Sequence, residues 1–349
     1  MFMKRILFIF GGCSSEYGVS LQSAGAVLHA LDQARYTPIM LGITKEGRWL
    51  YYTGDVGAIV GDQWQKNKMD IIPCTPIVDR GEGAILLLDG SERRVYFDAV
   101  FPVLHGKNGE DGTMQGLFEL MGVPVIGCGM LSGALCMDKD RAHRLVAERG
   151  IRVPKSVTFR KSDSMACMEE AAKKVGYPLF IKPVRAGSSY GISKVGARVA
   201  LGEAVKEAFK HDDTIIMEET ISGFEVGCAV MGTDTLTVGF VDEIEISSGF
   251  FNFEEKYTLK TSKIHCPARI SEEMAARVKE IAKQIYHVLG CKGFARVDMF
   301  VTPEGAIVFN EVNTIPGFTD HSRYPNMMKG VGIDFSTLIS RLIEEGVSA

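Results

Sequence analysis

The spacing of apolar positions divides the chain into three stretches. Lys4–Phe10 is a near-continuous apolar run broken by Gly11-Gly12, the pattern of a strand buried on both faces. Val19 to Leu31 follows with Val19, Ala26, Val27, Ala30 and Leu31 near one helical face. Pro38–Ile43 and Ala99–Leu104 read as further strands, Gly112–Met121 as a helix, and Val123–Gly127 as a fourth strand. Strand and helix in alternation predict a mostly parallel sheet covered by helices. Between them, Gly54 to Gly90 is turn-rich and reads as irregular surface, with a hairpin near Ala84–Tyr96.

The middle stretch predicts a helix over Asp138–Gly150, a helix over Ala166–Val175, a strand over Leu179–Pro183, a helix over Leu201–Phe209 and a strand over Thr214–Glu219. In the last stretch Glu225–Met231 and Thr237–Ile246 alternate with period two, as antiparallel strands do. Ser271 is a good N-cap for a helix carrying Met274, Val278, Ile281, Ala282, Ile285, Val288 and Leu289, which Gly290 ends. Phe294–Val301 and Ala306–Asn313 flank Thr302-Pro303-Glu304-Gly305, a hairpin by composition. Phe335–Glu345 closes the chain as a helix, and Ser247 to Ala268 reads as a long loop of the kind that serves as a lid.

Composition narrows the function classes. The 349 residues exceed the usual size of one domain, and 46% hydrophobic against 23% charged residues suits a well-packed chain rather than disorder. The formal net charge of −4 comes with both signs interspersed, so no basic stripe suggests nucleic acid or a membrane surface. The apolar run at Ile6–Phe10 is too short for a secretory signal core, and nothing approaches the ~20 apolar residues of a membrane span. Cysteines 13, 74, 128, 136, 167, 228, 266 and 291 show no Cys-x-x-Cys pair, which predicts reduced thiols in a cytoplasmic enzyme.

Chemistry concentrates in the hairpin holding Arg296-Val297-Asp298 and Asn310-Glu311-Val312-Asn313. Residues two apart in a strand share a face, so one surface can collect a cation, two carboxylates and an amide oxygen. Mg²⁺ takes hard oxygen ligands and commonly only one or two carboxylates beside substrate phosphates. A salt-bridged strand face is the bland alternative. Lys182, in a buried-looking strand, needs an anionic partner, and Arg185-Ala186-Gly187-Ser188-Ser189-Tyr190-Gly191 after it can offer phosphate donors. Taken alone that loop reads more readily as a flexible surface turn. His105-Gly106-Lys107-Asn108-Gly109-Glu110-Asp111-Gly112 and Gly11-Gly12-Cys13-Ser14-Ser15-Glu16 each follow a strand of the first sheet, where open α/β folds bind ligands. Neither is Gly-x-Gly-x-x-Gly, which argues against a dinucleotide.

In this order the motifs resemble the D-alanine–D-alanine ligase family and its vancomycin-resistance relatives, most closely the D-alanine–D-serine ligases. The match rests on Ser15-Glu16-x-x-Val19-Ser20, the His105 motif, Met137-Asp138-Lys139, Lys182-Pro183…Gly187-Ser188-Ser189, Glu255-Lys256-Tyr257 and Glu311-x-Asn313-Thr314-x-Pro316-Gly317. The resemblance implies an α/β and α+β architecture: a parallel-sheet domain (1–128), then a two-lobed ATP-grasp fold with a central lobe (129–219) and a C-terminal lobe (220–349). It implies ATP and Mg²⁺, with two ions and Mn²⁺ as an option, D-alanine and D-serine as small-molecule substrates, and a homodimer.

The resemblance also implies residue roles. Lys139, Lys182 and Arg296 match phosphate-binding cations, with Ser189 in the phosphate loop. Asp298, Glu311 and Asn313 match the metal ligands. Glu218, Glu219 and Ile221 match the adenine hinge, and Glu225 the ribose contact. Glu16, Ser188 and Tyr257 match a set around the first substrate, beside His105. For His105 a satisfied structural histidine stays open. Arg296 and the Gly317 N–H match oxyanion donors, and Lys256, Ser322 and Arg323 match the second-substrate site. Ala186 and Gly18 depart from common family residues without removing a required group. Tyr257, where lactate-type ligases carry histidine, favours an amine acceptor. D-serine is expected ahead of D-alanine, which leaves a housekeeping ligase as the alternative and a non-catalytic ATP-binding module as the other-class reading.

Overall fold

The computed structural model describes residues 3–187, 189–246 and 262–348. The first sheet contains β1 (Lys4–Gly11), β2 (Tyr36–Ile43), β3 (Trp49–Tyr52), β4 (Ile71–Pro76), β5 (Ala84–Leu87), β6 (Arg94–Tyr96) and β7 (Ala99–Pro102), ordered β6-β5-β4-β3-β2-β1-β7. Helices α1 (Tyr17–Ala30), α2 (Val56–Val60) and α3 (Thr113–Met121) accompany it. Alternate side chains of β1 enter opposite cores. Ile6, Phe8 and Phe10 pack with Leu21, Ala24 and Leu28 of α1, whereas Leu7 and Ile9 pack with Met114, Phe118 and Met121 of α3. That double burial explains the unbroken apolar run.

Only β2, β1 and β7 are parallel; β3 to β6 extend the sheet as antiparallel strands. Two sequence expectations are corrected here. Val123–Gly127 is no full strand: Val125 makes one isolated parallel bridge to Val100. Its hydrogen bonds run from Val100 N–H to the Pro124 carbonyl and from Ile126 N–H to the Val100 carbonyl, and Pro124 has no N–H to extend the ladder. The stretch expected to be irregular holds β4, whose six residues include Pro73 and Pro76, and α2, an apolar five-residue helix capped by Asp55; both are too short to show a clean period.

The second sheet follows α4 (Met130–Met137) and α5 (Lys139–Glu148). Its strands are β8 (Ser156–Arg160), β9 (Leu179–Pro183), β10 (Ser193–Val195) and β11 (Thr214–Glu219), antiparallel in the order β10-β9-β11-β8. Helices α6 (Met165–Val175) and α7 (Leu201–Ala208) cover one face, burying Leu179, Ile181, Ile215 and Met217. The intervening residues of β9 and β11, including Lys182 and Glu218, are therefore turned to the other face.

The third sheet, order β14-β13-β12-β15-β16, is antiparallel and contains β12 (Phe224–Met231), β13 (Thr237–Ile246), β14 (Ser262–His265), β15 (Phe294–Val301) and β16 (Ile307–Asn313). Helix α8 (Glu272–Val288), capped by Ser271 onto the Met274 N–H, packs Val278, Ala282 and Ile285 on one face, and Ala142 and Val146 of α5 join the same core. The expected long loop thus ends in an edge strand, since Ser262-Lys263-Ile264-His265 pairs with β13 despite having one apolar residue. After β16 come α9 (Arg323–Gly330) and α10 (Phe335–Ser348), whose Leu338, Ile339, Leu342 and Ile343 return to the α1 side of the first sheet.

Candidate functional site

Between the second and third sheets lies a cleft of about 560 Å³ lined by Lys139, Lys182, Ser189, Glu218 to Ile221, Glu225 and Glu311. Local structure explains each position. Across β9 and β11, Lys182 is paired with Ile216 and Phe180 with Glu218, so Lys182 and Glu218 are diagonal neighbours on the cleft face. Their ion pair is 2.6 Å long, with side chains 11% and 2% exposed. Burial pulls the Lys182 ammonium down, but Glu218, Glu311 and Glu225 outweigh it and hold it above the usual lysine value. Burial likewise raises the Glu218 carboxyl, and Lys182, His143 and Lys139 more than reverse that.

Lys139 is the first residue of α5 because Asp138 caps that helix, accepting from the Arg141 N–H at 3.0 Å. Its Nζ reaches the second lobe, donating to the Ala186 carbonyl at 2.9 Å, and stands 3.7 Å from Glu311 of the third. His143, one turn on, sits 2.8 Å from the Asn310 carbonyl through Nε2 and 3.7 Å from Glu218 through Nδ1. Glu218 Oε1 and Thr220 Oγ1, both buried, have no hydrogen-bond partner among the described residues.

The expected hairpin forms with Asp298 opposite Glu311 and Arg296 opposite Asn313. Arg296 grips Asp298 with contacts of 2.7 and 2.8 Å, and Asn313 Nδ2 donates to Asp298 at 2.9 Å, which leaves the Asn313 oxygen facing elsewhere. Burial alone would lower the Arg296 guanidinium, yet Asp298 keeps it above its ordinary value. Two carboxylates and one amide oxygen are a hard-oxygen set that suits Mg²⁺ when phosphate oxygens complete the shell. Among the described residues there is no cluster of three or more His, Cys, Asp or Glu that could hold a metal.

The substrate end is built by loops. Glu16 is buried, and both Gly106 and Gly187 exist where a Cβ would lie 2.4 and 2.7 Å from its Oε2. The loop after β7 and the loop after β9 therefore close on one carboxylate. Ser188, Lys256 and Tyr257, assigned beside it from sequence, lie outside the described residues. His105 is buried with both ring nitrogens engaged, Nδ1 with the Ile315 carbonyl and Nε2 with Ser23, each at 2.9 Å. Both ring nitrogens thus serve the surrounding fold, the satisfied-histidine alternative that the sequence left open. Gly317 begins the approach to α9, with Ser322 Oγ 3.0 Å from where its Cβ would stand. Ser322 meanwhile accepts the Thr319 N–H at 3.1 Å.

Arg323 was expected at the second-substrate site. It is buried, bound twice to Asp242 at 2.7 Å, 3.2 Å from Glu225 and 3.5 Å from Asp298. It also lines a second cleft of about 560 Å³ with Asp242, Ser262 and Asn326. Gly227 makes room for this cluster: it pairs with both Asp242 and Asp298, and a Cβ there would be 2.3 Å from Arg323 Nη2. Sequence reasoning missed Asp242, Ser23 and His143. Asp242 carried no distinct signal, since Glu243 and Glu245 stand beside it in the same strand.

Two antiparallel sheets that close on a cleft of lysines and carboxylates define an ATP-grasp enzyme. The comparisons name the class more narrowly. The D-ala D-ala ligase N-terminus model matches residues 5–128 and the C-terminus model residues 145–344. A vancomycin C-type resistance protein, VanC1 of Enterococcus gallinarum, is 42% identical over 342 residues, 98% of each chain. A D-alanine–D-alanine ligase of Caldicellulosiruptor bescii is 41% identical, over 97% of this chain and 94% of its own. The crystal structure of the VanG D-Ala:D-Ser ligase from Enterococcus faecalis superposes with a TM-score of 0.92 at 56% identity, covering 99% of this chain and 100% of that one. The chain belongs to the D-alanine–D-alanine ligase family, and it is a ligase.

Proposed function

We propose that this enzyme joins D-alanine to D-serine, with ATP, in the cytoplasm and for peptidoglycan precursors of the vancomycin-resistant kind. The observation that carries the serine reading is the Asp242–Arg323 pair, which lines a cleft with Ser262 and Asn326. An apolar pocket rejects or selects an added hydroxyl only weakly, whereas a site with polar partners discriminates strongly. Asp242 and Arg323 supply acceptor and donor. The VanG likeness supports the same choice.

In this reading Glu16 holds the ammonium of the first D-alanine, with its carboxylate toward Arg296. Lys139 and Lys182 hold the nucleotide phosphates, so Lys182 leaves Glu218 when ATP binds. The buried Glu218 Oε1 and Thr220 Oγ1 then meet the adenine side of the cleft, with Glu219 and Ile221 as hinge backbone, Ser189 at the phosphates and Glu225 at the ribose. Asp298, Glu311 and Asn313 would hold Mg²⁺, two ions with the phosphates, which supplies charge neutralisation during phosphoryl transfer. The D-alanine carboxylate oxygen attacks the γ-phosphorus, and ADP leaves. The amine of D-serine attacks the acyl carbon, Arg296 and the Gly317 N–H stabilise the oxyanion, and phosphate leaves with the oxygen it gained. Lys256 and Ser322 face the acceptor carboxylate, and Ser188 and Tyr257 complete the Glu16 set.

The 41% identity to the Caldicellulosiruptor ligase favours a second reading, D-alanine as acceptor. Mass analysis of dipeptides formed from D-alanine with equal D-serine decides between them. D-Alanyl-D-serine is expected in excess, and D242N is expected to shift the ratio about tenfold toward D-alanyl-D-alanine. Excess D-alanyl-D-alanine from the unsubstituted enzyme would establish the second reading.

A further inference from the structure

The turn after β16 carries Gly317, yet the bonds that fix it come from the far end of the chain. Ile315 is held at both its backbone polar groups by one loop of the first lobe: its N–H donates to Glu110 Oε1 at 3.2 Å, and its carbonyl accepts from His105 Nδ1 at 2.9 Å. On the other side of Gly317, the Phe318 N–H donates to Ser23 Oγ of α1 at 3.3 Å. Ser23 and His105 are joined at 2.9 Å.

We infer that Ser23, His105 and Glu110 form a positioning set through which the first lobe fixes the Ile315–Phe318 turn, and with it the Gly317 N–H, at the reacting acyl group. This rests on the reading of Gly317 as an oxyanion donor.

The hydrogen bonds run in one consistent direction. Nδ1 faces a carbonyl oxygen and so carries the proton. Nε2 is then an acceptor for the Ser23 hydroxyl, whose oxygen keeps a lone pair for the Phe318 N–H. The pattern requires a neutral imidazole, and burial supplies one by pulling His105 down to about 4. Glu110 closes its own loop as well, accepting the Gly106 N–H at 2.7 Å. Gly106 is the glycine that admits Glu16. One loop thus sets both the anchor for the first substrate's ammonium and the donor to its acyl oxygen. Their separation must match one small amino acid, and an error of about 1 Å in such geometry costs ~100-fold in rate.

The test uses a phosphinate analogue of the dipeptide, whose tetrahedral phosphorus mimics the adduct that the oxyanion donors contact. S23A removes one hydroxyl and little bulk; E110Q, which keeps one acceptor oxygen, is the second variant. Both are expected to lower kcat about 10- to 100-fold, to leave the KM for ATP within about twofold and to weaken phosphinate inhibition in step with kcat/KM. Unchanged phosphinate affinity in the variants, while the unsubstituted enzyme binds it tightly, overturns the proposal. Losses of ATP affinity and Tm that account for the whole fall in kcat overturn it too, by making the set merely structural. If the unsubstituted enzyme itself shows no ATP-dependent phosphinate inhibition, the underlying oxyanion reading fails instead.

Discussion

Single side chains here act as charges that cannot be removed one at a time. Lys182 and Glu218 are both buried, so K182M leaves a carboxylate without its partner, a change worth about 3–5 kcal/mol. Urea melts should show that loss, and K182M/E218Q should recover much of it, although neither variant turns over ATP normally. Equal stability of the single and double variants would contradict the pair's coupling. Glu311 behaves differently, being partly open to the cleft: E311A should lower kcat about 1,000-fold with Tm nearly unchanged. His105 gives a signature in pH. Its folded value of about 4 lies below its ordinary 6.5, so the unfolded chain binds the extra proton between them. The stability it contributes is full above about pH 6.5 and is lost as pH falls toward 4, by about 3 kcal/mol. Glu110, pushed up to about 8 by burial and by Glu16, works oppositely, losing stability as pH rises from the ordinary carboxyl value. The difference between unsubstituted enzyme and H105Q across pH 4 to 7 isolates the histidine, and a difference flat in pH would contradict its neutral burial.

Elements place these charges by register. β12 lies between β13 and β15, and Gly227 faces both Asp242 and Asp298, so one missing side chain accommodates Arg323 and both carboxylates. G227A should therefore cost about 2–3 kcal/mol by overpacking and should raise the Mg²⁺ concentration needed for activity, measured by thermal melts and metal titration. Much at this scale was legible in the sequence. The double-sided burial of β1 showed as a continuous apolar run, and the period-two strands and the Ser271 cap fixed β12, β13 and α8. The gathering of Arg296, Asp298, Glu311 and Asn313 on the hairpin was legible because they share a phase that simple alternation reveals. What escaped was non-local. β14 lies at a sheet edge and β4 between β3 and β5, and in both it is pairing, not composition, that makes the strand. The partners of His105, Ser23 and Ile315, are 82 and 210 residues away, so sequence could not show how its ring is held. Arg323, at the start of α9, gave no sign of its partner Asp242, which lies 81 residues away on β13.

The whole molecule is an arrangement of three sheets in which each contributes part of one reaction centre. In the proposed reading the first gives Glu16 and the loop holding His105, the second Lys182 and the hinge at Glu218, and the third the carboxylates and the oxyanion turn, while Lys139 touches the second and third together. Helix α10 returns to the first sheet and ties the ends of the chain into one core. The proposed reaction moves a phosphoryl group onto a carboxylate and then an acyl group onto an amine, without releasing the intermediate to water. The most direct test follows the oxygen. With ATP, Mg²⁺, D-serine and D-alanine labelled with ¹⁸O in its carboxylate, one labelled oxygen should appear in the released inorganic phosphate for each dipeptide formed. Dipeptide formed with unlabelled phosphate, or with the label in AMP, would contradict the account.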